Sequence, residues 1–250
     1  SRIAIPTPRI AAPARSLVLP VGMKGGNSLS FDGLNDVLDF GSHASLGFTG
    51  PFCLEGWIYV AQEVTSNYRV IFARSDGPSW GNGYAFESRL PGSLIFWINN
   101  YSSGPQVILS MNQIGICRWR HLALRYSGAG MSAVIGGKDV VDGTVYSGAV
   151  TVKVTPLLFG YHVGGGSYTR MHLCGWRAWN RHVTHMECAA RARGEEIDRT
   201  SLVSSWSFED GATTTVVDSV GVNHGTITGA TWSTLAPFTA RVASPARLPA

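Results

Sequence analysis

Charge is scarce in this chain: Asp, Glu, Lys and Arg supply only 14% of 250 residues, against 44% hydrophobic residues. That balance excludes a disordered or highly charged polypeptide. Long apolar runs are also missing. None approaches the ~20 residues that a spanning helix needs, so no membrane span is expected. The first residues lack the basic-then-apolar pattern of a secretion signal. Cysteines number four, Cys53, Cys117, Cys174 and Cys188. An even count permits disulfides, but without a secretion signal reduced thiols are expected, buried in strand-like segments. Catalytic patterns are absent as well. There is no Gly-x-Ser-x-Gly elbow, and Gly164-Gly165-Gly166 lacks the Lys-Ser/Thr of a phosphate cradle. Glycoside hydrolysis with retention needs two carboxylates about 5 Å apart. Glu55 is the lone acid of its strand, so it reads as structural or paired with an arginine. His182, His185 and Cys188, near Cys174, have metal-like spacing, but surface histidines and a buried thiol are the simpler expectation.

What is abundant is glycine, 30 residues, spaced between short alternating runs. Ser28–Phe40, SLSFDGLNDVLDF, reads as strand, turn and second strand, with Asp32-Gly33 and Asn35-Asp36 supplying the turn. Phe52–Val60 is the clearest strand. Its two faces, Phe52, Leu54, Gly56, Ile58, Val60 and Cys53, Glu55, Trp57, Tyr59, are both largely apolar, so cover on both sides is expected. Tyr68–Arg74, Gly83–Glu87 and Leu94–Asn99 follow, divided by turn residues. Trp119–Tyr126 and Met131–Ile135 form a hairpin, and Thr151–Gly160 and Met171–Asn180 read as closing strands. Thr184 with Glu187 forms a capping box for a helix through Met186–Arg193, ended by Gly194. Such a helix would cover a sheet edge or one end of a sandwich.

Four of these stretches, in order, resemble the laminin-G-like domains of the concanavalin-A-like lectin and glucanase superfamily: the Phe-Asp-Gly-x-x-Asp turn, the strand Trp119-Arg-His-Leu-Ala-Leu-Arg-Tyr126 with its return, Leu157-Leu-Phe-Gly160, and Trp176-Arg-Ala-Trp-Asn-Arg181. The resemblance covers about 28–190 and implies an all-β fold. The expected architecture is an antiparallel jelly-roll sandwich at 25–235 with one short helix. Leu202–Glu209, Gly211–Asp218 and Asn223–Trp232 resemble a segment that in relatives precedes the first strand. Here 200–235 either adds strands to the same sandwich or is the remnant of a second repeat, and the first reading is favoured. The resemblance also implies calcium held by an Asp of the first turn and an Asp of the closing strand. Asp32 and Asp36 are available, but the closing strand reads Leu173-Cys174-Gly175, so no metal or other cofactor is assigned.

The ends differ from the middle. Residues 1–24 and 236–250 carry six cations and no acid, leaving −2 for the rest of a +4 chain, and hold seven of the 12 prolines. They should run as extended arms. With Arg2, Ile3, Ile5, Arg9, Ile10 and Arg15 at one end and Arg241 and Arg247 at the other, the arms suit packing across protein neighbours. Four cations in the first arm without aromatic interleaving do not suit nucleic acid. The expectation is a non-enzymatic assembly protein, by analogy of fold a bacteriophage virion component, capsid-decorating or tail-associated, with capsid or tail proteins or further copies of itself as partners. The alternative is a lectin-like adhesion module for surface glycans. Its rim would be Trp80, Asn82, Tyr84, Asn99, Asn100, Tyr101, Tyr161, His162 and Tyr168, aromatics for pyranose faces and amides for hydroxyls.

Overall fold

The computed structural model describes residues 26–62, 68–76, 80–90, 92–165 and 167–237. All eight residues named for the arms lie outside the described residues. The rest folds as two sheets face to face. One sheet runs β10 (Asp139–Val145), β9 (Gly130–Ile135), β8 (Trp119–Tyr126), β3 (Phe52–Val60), β13 (Arg170–Trp179), β1 (Ser28–Asp32) and β17 (Thr231–Ser233), with β14 (Leu202–Trp206) also paired to β13. The second runs β15 (Thr215–Val216), β16 (Gly225–Thr228), β2 (Val37–Asp39), β11 (Leu158–Phe159), β4 (Arg69–Asp76), β5 (Gly81–Leu90), β6 (Ser93–Asn100) and β7 (Gln106–Ser110). A short β12 (Ser167–Tyr168) pairs parallel to β4, while every other named pairing is antiparallel.

Alternation sets which side chains meet between the sheets. From β3 come Phe52, Leu54 and Ile58, from β5 Tyr84 and Phe86, from β6 Leu94, Phe96 and Ile98, all fully buried. Gly56 is glycine for a packing reason: a Cβ there would overlap the indole of Trp176, itself fully buried with Nε1 donating to the Trp57 carbonyl at 3.0 Å.

The trailing segment adds strands to its own sandwich. β14 pairs Trp206 with Trp176 of β13, β16 pairs Ile227 with Leu38 of β2, and β17 pairs Trp232 with Leu29 of β1. Trp206 lies 4.2 Å from Phe40, centroid to centroid, and donates Nε1 to the Asn223 carbonyl at 2.7 Å. A single segment thus completes both sheets.

Helix α2 (His185–Ala192) starts at the anticipated capping box, with the Thr184 side chain and the Glu187 amide, and the Glu187 side chain and the Thr184 amide, in reciprocal bonds. A second, one-turn helix α1 (Met111–Ile114) carries its own box from Ser110 and Gln113. Beneath α2 lie Cys53, Ala123, Val134 and Trp179. Only this half of the outward face of β3 is covered, contrary to the expectation for the whole strand. In the other half Trp57 and Tyr59 are partly exposed, and Ser30, His172, Tyr59 and Trp119 stand opposite one another across four strands.

Two further expectations change. Of Thr151–Gly160 only Leu158 and Phe159 form a strand. Pro156 has no N–H to give a ladder, and the Thr151 amide goes instead to Asn99 Oδ1 at 2.7 Å. Cys117 is exposed, in a bend at φ 53° rather than a strand, while the other three cysteines are buried; all four are free thiols.

Candidate functional site

The outward face of the second sheet has a floor of small and apolar side chains. Ala73, Ala85 and Trp97 stand in one cross-strand row, and Val70, Glu87 and Ile95 in the next. All six are buried, although no strand among the described residues covers them. Their cover is a layer of aromatic rings. Trp80 and Tyr101 pack on this floor, and Tyr68 closes the group, with centroids 5.4 Å from Trp80 and 5.5 Å from Tyr101. Trp80 to Tyr101 is 6.2 Å. The layer itself is only half-buried, and Tyr68 is 41% exposed.

Unusual backbone places these rings. Among the described residues seven that are not glycine have positive φ, and four belong to this region: Tyr68 at 63°, Trp80 at 46°, Asn82 at 54° and Asn99 at 65°. Left-handed backbone at a bulky residue costs on the order of 1–3 kcal/mol and persists only where surrounding bonds impose it. Those bonds are present. The Tyr101 amide donates to the Trp80 carbonyl at 3.1 Å, and the Tyr68 amide to the Ser88 carbonyl at 2.9 Å. Between Asn82 and Tyr84, Gly83 has no room for a Cβ against the Arg74 carbonyl.

His162 supports Trp80 from one side. Its ring is stacked on the indole, 3.9 Å between centroids with 5° between planes. Nδ1 accepts the Gly164 N–H at 2.8 Å, so the proton sits on Nε2, which faces the Ser75 hydroxyl. Burial pushes the imidazole down to about 4, against the attraction of Asp76, and it is neutral at pH 7. Below the rings, Glu87 Oε1 accepts from Trp97 Nε1 at 2.6 Å. Burial raises its carboxyl to about 8 despite that bond, and Oε2 has no partner among the described residues.

The nine anticipated rim residues divide accordingly. Trp80, Tyr101 and His162 come together. Tyr161 and Tyr168 form a separate stacked pair, 5.4 Å apart at 18°, next to His162 in the chain. Asn82 donates Nδ2 to Asp76 Oδ2 at 2.7 Å. Asn99 and Asn100 hold loops. Asn99 bonds the Tyr146 hydroxyl, the Ala149 carbonyl and the Thr151 amide, and Asn100 Oδ1 accepts the amides of Ser102 and Ser103. Tyr84 does not belong to the rim at all. It alternates inward with Phe86, is fully buried, and donates its hydroxyl to the Leu46 carbonyl at 2.8 Å. Tyr68, Trp97 and Glu87 escaped the sequence reading. The signal was available in β6, whose two faces are both apolar and therefore call for a cover on each side.

The calcium candidates are engaged in their own turn. Asp36 Oδ2 accepts the Asp32 amide at 2.6 Å, and Asp32 Oδ1 the Leu34 amide at 2.7 Å. Asp36 is buried, which raises its carboxyl. Among the described residues no three His, Cys, Asp or Glu side chains gather as metal ligands. Cys188 turns its thiol to the Val183 carbonyl and Cys174 to that of Asn27.

Glu55 is paired with an arginine, as anticipated. Oε1 accepts from Trp179 Nε1 at 3.2 Å and Arg191 Nε at 3.3 Å, and Oε2 lies 3.5 Å from His121 Nε2. Burial raises the carboxyl and drives His121 down to about 3, with Arg191 and Arg177 adding to the latter. Glu55, His121 and Arg191 are each 3% exposed or less.

No curated protein matches the sequence. Among solved structures, a Bacteroides ovatus protein provisionally assigned to carbohydrate binding aligns at a TM-score of 0.63 and 16% identity, over 85% of this chain and 61% of its own. The chain thus spans about three-fifths of that protein, and the likeness is one of fold. A heptameric SAP-like pentraxin from Limulus polyphemus aligns at 0.48 and 14% identity, over 80% of this chain and 95% of its own. The binding domain of botulinum neurotoxin serotype C1 aligns at 0.46 and 12% identity, over 59% and 37%. The Laminin_G_3 family profile matches residues 32–189, well over half of the sequence and the stretch that builds most of both sheets. The chain belongs to the concanavalin A-like lectin/glucanases superfamily.

Proposed function

We propose that the chain is a non-enzymatic carbohydrate-binding module whose ligand stacks on the outward face of the second sheet. The observation that carries this reading is the half-exposed layer of Trp80, Tyr101 and Tyr68, held in place by left-handed backbone and by His162. A pyranose presents an axial C–H face that stacks on such rings, with Trp the largest platform. The Bacteroides protein's provisional role, transferred here by fold alone, points the same way. The burial of Glu55 speaks against hydrolysis at that residue. A place in a virion draws no support from the family or from the similar structures.

The test is a glycan array followed by calorimetry on the full chain. Trp80→Ala is expected to weaken the best ligand about tenfold or more, the scale of a lost central aromatic contact. Tyr101→Ala should weaken it less, and Cys117→Ser, in the other sheet's surroundings, not at all. Equal affinity for the wild type and Trp80→Ala would remove this face from consideration.

A further inference from the structure

We infer that this face, taken as the glycan site just proposed, is built for a neutral glycan that donates hydroxyl protons, and disfavours uronate, sialylated or sulfated chains. Beside the rings lies a carboxylate acceptor whose capacity is not fully used. Asp76 ends β4 close to His162, whose ring senses its charge. One carboxylate oxygen, Oδ2, is held by Asn82, while Oδ1 is shielded from water without a partner among the described residues. An acceptor in that condition is costly until a donor reaches it. A sugar hydroxyl is such a donor, and pairs of hydroxyls on a ring stacked against Trp80 supply several.

The cations of the same strand are committed elsewhere. Arg74 is buried and donates to the His43 carbonyl at 2.8 Å, and Arg69 donates to the Tyr168 carbonyl at 2.6 Å. Anionic sugars are ordinarily held by arginine forks. Arg74 keeps an Nε without a partner among the described residues but is only 2% exposed, out of a ligand's reach, and Arg69 is engaged at the Tyr168 carbonyl. The remaining acid of the face, Glu87, lies in the floor beneath the rings and adds no attraction for an anion. Lys153, two residues beyond the Thr151 that pins Asn99, is exposed and is a cation whose removal tests this balance.

The experiment titrates the full chain, at pH 7 and physiological salt, with three neutral polysaccharides (a β-glucan, a mannan, a galactan) and three acidic ones (polygalacturonate, hyaluronan, heparin). At least one neutral polymer should bind, with about tenfold or greater loss in Trp80→Ala and in Asp76→Leu. Asp76→Asn, which keeps the shape and one acceptor oxygen, should retain an intermediate affinity, and circular dichroism confirms that each variant is folded. Acidic polymers that bind through Trp80 and weaken in Lys153→Ala would overturn the neutral-ligand inference and leave the glycan reading standing. Neutral binding that is indifferent to both Asp76 variants would overturn it too. Failure of all six, with failure on the array, would remove both.

Discussion

Glu87 shows how one residue sets a measurable pH response. Its carboxyl is buried against Trp97 and raised to about 8, well above the ordinary value near 4.3. Between those limits the folded chain holds a proton that the unfolded chain has lost, so stability falls as pH rises, by up to about 1.4 kcal/mol per unit. His121 and His162 act with the opposite sign. Held down to about 3 and about 4, they stay neutral where the unfolded chain is protonated, and their contribution is lost as pH falls below about 6.5. From pH 6.5 to 8 only the Glu87 slope is left of these three. Urea midpoints of the wild type should therefore decline over that interval and those of Glu87→Gln should not, since Gln can still accept the Trp97 bond. A matching decline in both would show that Glu87 is ionised in the folded chain. None of this was legible in the sequence: a glutamate at an alternating position looks solvated until the cover above it is known. Tyr84 failed for the related reason that its direction depends on the phase of β5, which Phe86 sets.

At the level of elements, local rules served well. The box at Thr184 and Glu187 was legible because both partners lie within one turn, and it is completed by Arg181, which grips Glu187 with two bonds of 2.7 and 3.1 Å. Thr184→Ala should cost about 1 kcal/mol in a urea melt. The cluster beneath α2 was legible only as a guess that Glu55 has an arginine, because Arg191 is 136 residues away. Glu55→Ala leaves that buried guanidinium with Glu196 as its remaining carboxylate, 3.3 Å away, a loss on the order of 3 kcal/mol. A destabilisation no larger than that of Thr184→Ala would mean that Glu196 or entering water compensates Arg191. Among the elements missed altogether are β7 and β10, edge strands that are partly polar, with Ile108 and Val140 exposed, and the short α1 and β12.

For the whole molecule, the order of the family-like stretches identified the fold, while the role of residues 200–235 needed the pairings themselves. Those strands cap both sheets, and their tryptophan Trp206 fills the core between Phe40 and Trp176. A chain ending at Asp198 should therefore lose its cooperative thermal transition; a sharp melt in that shortened chain would show the segment to be an accessory. The pairing of the first strand with the last, Ser28 opposite Ser233, reaches further than stability. Entry and exit points of the polypeptide sit one strand spacing apart, on the sheet that does not carry the aromatic layer. Cutting the sandwich out of the sequence, or joining Ser28 to Ser233 by a short loop, would therefore need no long linker across the molecule.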